Sequence, residues 1–208
     1  MNAITSSAST YHDTRIGDWL QTYSGRCFWP LDPRADEVFL EDIAHSLAFK
    51  CRYGGHSVLY YSVAEHSVLV SKFVPKEFAL WGLLHDAGEA FSSDVPRPLK
   101  RCLKEWAPIE QGIMIAICER FGLPFEEPAC VKQVDLALTS DEREALMVEC
   151  DRDWGELPPA VGATLHFWSP KQAEKAFLAR YEELTTSSYQ EDRKVTARVS
   201  AFLKRVFG

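Results

Sequence analysis

Residues 85 to 94 carry four side chains that bind metals or move protons, and the positions between them are apolar or small. The four are His85, Asp86, Glu89 and Asp94. In a continuous helix, His85 and Glu89 would lie one turn apart, and Asp86 would point about 100° away around the axis. The segment could therefore present an imidazole and carboxylates together at the lip of a pocket. An ordinary salt bridge or capping pair at His85 and Asp86 is the competing interpretation.

Two residues on other apolar segments could complete a metal site. His66 lies within the apolar segment VAEHSVLVSKFV, and Asp135 is the only acid within VKQVDLAL. A buried carboxylate without a partner is costly, which favours a ligand role for Asp135. Asp94 has an alternative role as the N-cap of a following helix, because Pro96 fits a first helical turn.

The joint pattern resembles the HD-domain metal-dependent phosphohydrolases. Within that superfamily it is most similar to the 5′-deoxynucleotidase branch and its phage relatives, including phage deoxynucleoside triphosphate hydrolases. The matching segments lie between residues 52 and 147, roughly half of the chain, and are AEHS at 64–67, LLHDAGEAF at 83–91, SDVPRPLK at 93–100 and VKQVD at 131–135. Two positions depart from the family pattern, since Ser93 stands where glycine is usual and Gly88 where alanine is commoner.

The resemblance implies roles for the matched residues. It implies four metal ligands, which are His66, His85, Asp86 and Asp135. It also implies that Glu89 and Asp94 handle the attacking water, and that Lys100 faces a substrate phosphate. The substrate it implies is a small phosphate ester, specifically a nucleotide, and it further implies self-association into a homo-oligomer.

Two residues before His66 could also contact the substrate. Arg52 and the aromatic residue after it resemble the Arg-Trp pair that meets the nucleotide in deoxynucleotidases. A planar guanidinium suits bidentate contact with phosphate. A surface charge is the alternative interpretation of Arg52, because the spacing to His66 is one residue short. His56 follows two glycines that allow the backbone to approach a ligand closely.

A site with two histidines and two aspartates favours a divalent transition metal over Mg²⁺ or Ca²⁺, which prefer oxygen ligands. Mn²⁺, Co²⁺, Fe²⁺, Ni²⁺ and Zn²⁺ all suit it, and catalysis requires room for water beside the protein ligands. We expect the ion to acidify that water and to polarise a phosphoryl oxygen. Glu89 or Asp94 would accept the proton of the water, or Asp94 would protonate the leaving oxygen. Lys100 and Arg52 would stabilise charge on the phosphate.

Three functions fit this pattern. The first is release of phosphate from deoxynucleoside 5′-monophosphates, which the small size of the chain favours. The second is hydrolysis of deoxynucleoside triphosphates with release of tripolyphosphate. The third is a non-catalytic nucleotide- or metal-binding regulator, against which the presence of both Glu89 and Asp94 argues.

Composition limits the fold and the partners. A chain of 208 residues with 46% hydrophobic residues can bury about 70% of its unfolded surface, enough for one domain. The net charge of −7 argues against general nucleic-acid binding and against an anionic membrane surface. No apolar run approaches the roughly 18 residues of a membrane span, and no signal peptide is apparent, so we expect a cytoplasmic protein. Six cysteines without CxxC spacing are expected to be reduced thiols.

Apolar periodicity predicts an all-α fold of about seven or eight helices, and the resemblance implies an HD-domain helical bundle. We expect a flexible tail over residues 1–12, a single domain over 13–208 and minor extended structure near the N-terminus. Besides the segments of His66 and His85, helices are predicted at 41–49, 108–122, 131–150, 170–184 and 189–207. A Pro/Gly-rich loop is predicted over 153–169. The acids Asp141, Glu142 and Glu144 are predicted to be solvated.

Overall fold

A computed structural model describes residues 14–186, and these residues are mostly helical. The predicted predominance of helices is therefore confirmed, whereas the tail over 1–12 and the helix over 189–207 lie outside the described residues. The helices are α1 (Leu40–Phe49), α2 (Val63–Phe73), α3 (Ala79–Leu84), α4 (Glu89–Ser92), α5 (Arg97–Lys100), α6 (Trp106–Phe121), α7 (Ala129–Leu146) and α8 (residues 170–186). Three short 3₁₀ turns are also present in this part of the chain, one before α1 at Ala35–Glu37 and two between helices at Arg52–Gly55 and Lys76–Phe78.

A small hairpin near the N-terminus confirms the predicted extended structure. Strand β1 (Leu20–Gln21) pairs antiparallel with β2 (Cys27–Phe28), and Leu20 lies opposite Phe28. The Phe28 ring is fully buried and stacks on Phe91 of α4, with ring centroids 3.9 Å apart. The hairpin thus packs against the segment that carries Glu89.

Helix α2 lies at the centre of the fold. Its residues from Val63 to Ser71 are all buried, which is typical of a helix surrounded on every side. The helix begins at Ser62, whose hydroxyl accepts the N–H of Glu65 at 3.1 Å, an N-cap contact. A Cβ on Gly82 of α3 would lie 3.2 Å from the Cα of Ser71, so glycine permits the close approach of α3 to α2. His66 is consequently placed in the interior.

The segment that contains His85 and Asp86 is not one continuous helix, and that prediction was wrong. Helix α3 ends at Leu84 and α4 begins at Glu89. Between them, the N–H of Ala87 donates to Leu84 O at 2.9 Å, and the N–H of Glu89 donates to Asp86 O at 3.0 Å. These bonds span three residues rather than four, so the turn is tighter than an α-helix. His85 and Asp86 therefore lie in a turn between the two helices.

The structure confirms one other predicted helix end and corrects two further predictions about where helices begin or end. Helix α6 ends at Phe121 and is capped by the predicted stop residue Gly122, which is left-handed at φ 66°, a conformation that glycine adopts readily. Helix α7 ends at Leu146, before the predicted end at residue 150. Pro96 is the N-cap of α5 and no side chain caps it, so the alternative role of Asp94 as an N-cap was wrong.

The predicted loop over residues 153–169 contains no regular secondary structure, yet two buried acids fix it to the helices. The carboxylate of Glu65 accepts the N–H groups of His166, Phe167 and Trp168 at 2.6, 3.0 and 2.8 Å. Asp141 of α7 accepts two more, from Val161 at 2.9 Å and Ala163 at 2.8 Å. The prediction that Asp141 is solvated was wrong, because its carboxylate replaces water as the acceptor for this loop.

Two further expectations can be compared with the structure. All six cysteines are free thiols, as predicted. Among residues 14–186, no helix is both long enough and apolar enough to cross a membrane.

Candidate metal centre

Three of the predicted ligands converge from distant parts of the chain. His66 comes from α2, His85 from the turn after α3 and Asp135 from α7, and one ligand atom of each lies within 4.8 Å of the others. His66 Nε2 lies 3.3 Å from His85 Nε2 and 3.1 Å from Asp135 Oδ1. His85 Nε2 lies 4.0 Å from the same oxygen. This cluster could hold a metal ion.

The hydrogen bonds of the two imidazoles show which nitrogen of each faces the cluster. His66 Nδ1 lies 2.6 Å from Glu142 Oε1, and His85 Nδ1 lies 2.8 Å from Gly82 O. Both partners accept hydrogen bonds, so each Nδ1 carries a proton, and each ring presents a lone pair at Nε2 whenever that atom is deprotonated. Two lone pairs 3.3 Å apart repel each other unless a proton or a cation lies between them. Two imidazole nitrogens and a carboxylate oxygen suit a divalent transition metal.

Asp86, the fourth predicted ligand, lies at the rim of the cluster. Its Oδ2 is 3.2 Å from His85 Nε2 and 3.7 Å from His66 Nε2. The same oxygen is 3.4 Å from Arg52 Nη1. Burial raises the pKa of Asp86, but His85, His66 and Arg52 together hold it well below its usual range. Asp86 therefore carries a full negative charge beside the two imidazoles.

The carboxylates make the cluster attractive to positive charge. Burial lowers the pKa of His85, but Asp86 and Asp135 outweigh burial and raise it to about 9. Asp135 shows the complementary effect, since its pKa falls to about 2 because His66 and His85 outweigh its own burial. The negative potential that favours a proton on the imidazoles also favours the binding of a metal ion.

Glu89 lies beside this cluster in a buried position. The residue is only 8% exposed, and its Oε2 has no hydrogen-bond partner among the described residues. Burial, together with Asp86 and Asp94, raises the pKa of Glu89 to about 9. Lys100 Nζ lies 3.7 Å from Glu89 Oε1 and 2.7 Å from Glu110 Oε1. The structure thus brings Lys100 next to Glu89.

Asp94 follows Ser93 and is half-buried. Its pKa is raised by burial and by Asp86, although Arg52 and Lys100 act in the opposite direction. Asp94 in turn contributes to the raised pKa of Glu89. Ser93 has φ 105°, a conformation that glycine adopts at little cost and other residues rarely adopt.

The two residues predicted to contact substrate differ in their surroundings. Arg52 has a side chain only 13% exposed, and besides Asp86 it contacts Glu142, with Nη2 3.2 Å from Oε2. The alternative interpretation of Arg52 as a surface charge was therefore wrong. His56 is exposed, and its side chain makes none of the hydrogen bonds or ion pairs found in the described part of the chain. Contact of either residue with substrate stays a prediction.

Comparison with known proteins defines the family of the chain. No family model matches it. YfdR of Escherichia coli K12, which is named as an uncharacterized protein, is 37% identical over 171 residues, covering 80% of this chain and 96% of YfdR. The chain belongs to the YfdR family. A second relative, the uncharacterized protein RCAP_rcc00048 of Rhodobacter capsulatus, is 33% identical over 189 residues, covering 81% of this chain and 96% of the relative. Neither name states an activity.

In this YfdR-family chain, Glu142 is the residue of the site that sequence reasoning missed. It was predicted to be solvated because charged residues surround it in SDEREA, yet it is fully buried. A usable signal was present, since Glu142 follows Asp135 by seven residues. That spacing is close to two helical turns, so the two carboxylates lie on one face of α7.

Proposed function

We propose that this chain is an HD-type metal-dependent phosphohydrolase that releases phosphate from deoxynucleoside 5′-monophosphates. The main support for the proposal is that the Nε2 atoms of the two imidazoles face each other at 3.3 Å beside the carboxylates of Asp135 and Asp86. The buried, unpartnered Glu89 oxygen next to them supplies the group that a hydrolytic reaction needs.

His66, His85 and Asp135 would hold the ion. Asp86 would be the fourth ligand if its Oδ2 turned from Arg52 toward the ion. When bound, a divalent transition metal supplies Lewis acidity, which acidifies water and polarises a phosphoryl oxygen. The choice of a transition metal over Mg²⁺ follows from the two nitrogen donors.

Glu89 would accept the proton of the attacking water. Burial makes its carboxylate a stronger proton acceptor than an exposed glutamate, while Lys100 Nζ, 3.7 Å from its Oε1, and a nearby cation favour the ionised form. Asp94, whose pKa is also raised, would then protonate the leaving oxygen. Lys100 is the more accessible cation for the phosphate, because its side chain is 30% exposed whereas that of Arg52 is 13% exposed.

The nucleotide substrate is supported by the resemblance to deoxynucleotidases, and the monophosphate by the small size of the chain. The test is phosphate release from metal-stripped protein supplied with Mn²⁺, Co²⁺ or Zn²⁺ and a panel of deoxy- and ribonucleoside mono- and triphosphates. Orthophosphate from the deoxymonophosphates is expected. Tripolyphosphate from triphosphates would instead establish a triphosphohydrolase, and tight metal binding without turnover would favour a non-catalytic regulator.

Variants of the site separate metal binding from proton transfer. Glu89→Ala should lower turnover by about 10²–10⁴-fold while the metal content is retained. Asp135→Ala should lose the metal. Asp141→Asn, a buried acid on the same helix that contacts only the loop, is the matched control and should retain both. Full turnover in Glu89→Ala would refute the role of Glu89, and full metal occupancy in Asp135→Ala would refute that ligand.

A further inference from the structure

Glu142 is a fully buried carboxylate, and both of its oxygens accept hydrogen bonds. Its Oε1 accepts from His66 Nδ1 at 2.6 Å. Its Oε2 accepts from Arg52 Nη2 at 3.2 Å and from the Tyr53 hydroxyl in a short hydrogen bond. Burying a charge is costly unless hydrogen bonds and opposite charge compensate it. Glu142 meets both conditions, so both of its oxygens are already occupied.

This arrangement fixes the orientation of the His66 ring. An ionised carboxylate can only accept, so the Nδ1 that faces it must carry a proton, and Nε2 is then the nitrogen that binds a metal once it is deprotonated. That Nε2 is the atom that lies 3.3 Å from His85 Nε2 and 3.1 Å from Asp135 Oδ1. A carboxylate behind a metal-binding histidine sets its tautomer and increases its basicity.

We infer that Glu142 is a positioning residue that holds His66 ready for metal binding and so sets the affinity of the site for the ion. Glu142 acts through His66 and contacts neither the ion nor the substrate. The inference rests on the metal site of the proposed function and not on the hydrolysis of nucleotides. Arg52 extends the same effect to a second ligand, because its guanidinium bridges Glu142 and Asp86.

The backbone of Tyr53 supports this role. Tyr53 is left-handed at φ 58° and ψ 26°, which is uncommon for a residue other than glycine, asparagine or aspartate. Neighbouring contacts must therefore stabilise that conformation, and the hydroxyl of the same residue donates to Glu142. Strained backbone is found preferentially where a side chain has to be held in one place.

His85 provides a useful contrast. Its Nδ1 donates to a backbone oxygen, Gly82 O, which no side-chain substitution can remove. Glu142 is thus the side chain through which the orientation of a ligand can be tested. Asp141 is the adjacent residue and is also a buried acid with two hydrogen bonds, but both go to the loop. Asp141→Asn therefore controls for the loss of a buried negative charge at this end of α7.

The first experiment measures Zn²⁺ and Co²⁺ binding to full-length Glu142→Gln, Asp141→Asn and wild-type protein by titration calorimetry, after circular dichroism has confirmed folding. Glutamine has one acceptor oxygen and one donor nitrogen, so it cannot accept from His66 on one side and from Arg52 and Tyr53 on the other. Affinity should fall by about 10–100-fold in Glu142→Gln and stay at the wild-type value in Asp141→Asn. Equal affinities in Glu142→Gln and wild type would refute the positioning role alone.

The second experiment requires no variant to fold. In ¹⁵N-histidine NMR spectra of the Zn²⁺-loaded wild-type protein, His66 should be protonated at Nδ1 and bound to the metal through Nε2. A spectrum with the proton on Nε2 would overturn the inference while leaving the metal site intact. Wild-type protein that binds no divalent ion in the titration would overturn both the proposed function and this inference.

Discussion

Glu89 is expected to destabilise the chelator-treated protein at neutral pH, because its buried carboxyl stays protonated in the folded state at a pH where it would ionise in the unfolded chain. Burial, with Asp86 and Asp94, raises its pKa from 4.5 to about 9. When the pKa of an acid is higher in the folded state, the unfolded state loses the proton first, and stability falls as pH rises. The fall therefore begins near pH 4.5 and ends near pH 9.

The magnitude follows from the width of this interval. At pH 7 the unfolded carboxyl is about 2.5 units above its pKa, and each unit corresponds to about 1.36 kcal/mol, so the penalty is about 3 kcal/mol. Glu89→Gln cannot ionise and avoids it. A change of 1 kcal/mol shifts the melting temperature of a chain of this size by about 2–4 °C. The variant should therefore melt about 6–12 °C above wild type at pH 7, with the difference disappearing near pH 4.

Glu142→Gln serves as a control of opposite sign in the same assay. Burial raises the pKa of Glu142, but Arg52 and His66 outweigh burial and lower it to about 2. Its stabilising contribution is therefore complete above about pH 4.5 and is lost as the pH falls toward 2. Thermal unfolding of the two variants and wild type in EDTA, between pH 4 and 8, tests the pH dependence at Glu89, and the values at pH 7 test the opposite sign at Glu142. A Glu89→Gln difference that does not change with pH would contradict the raised pKa of Glu89, and the same sign for both variants at pH 7 would contradict the opposite environments of the two carboxyls.

Two further substitutions test the surrounding structure. Ser93→Gly should raise the free energy of unfolding by about 1 kcal/mol. The conformation of Ser93 at φ 105° costs a serine about 1–3 kcal/mol, and the higher entropy of glycine in the unfolded state offsets part of the relief. A lower denaturant midpoint for the variant would contradict this prediction. Glu65→Gln should destabilise by about 1–3 kcal/mol, since a glutamine cannot accept all three N–H groups of residues 166–168. Limited proteolysis should then cut the 153–169 loop faster than in wild type, and an unchanged cleavage rate would show that the Glu65 contacts do not hold the loop.

The sequence by itself determined which residue types lie where chemistry is possible. His66 lies in the largely apolar segment VAEHSVLVSKFV, and Asp135 is the only acid in VKQVDLAL. Burying either side chain without a partner is costly, which already indicates a shared partner. Periodicity also predicted α1, α6 and the start of α7 closely, because an apolar stripe reports which face of a helix is buried.

Tertiary structure alone decided what each buried face meets. Glu142 looked solvated among its charged neighbours, yet its partner His66 lies 76 positions away in the chain, and no local pattern encodes that contact. The same holds for Arg52, which reaches Asp86 and Glu142 only after α2 and α7 have packed together, and for the tight turn that interrupts the helix at residues 85–88. Local sequence sets propensity and amphipathicity, whereas the tautomer of a ligand and the pKa of a carboxyl depend on charges and acceptors that folding brings within a few ångströms.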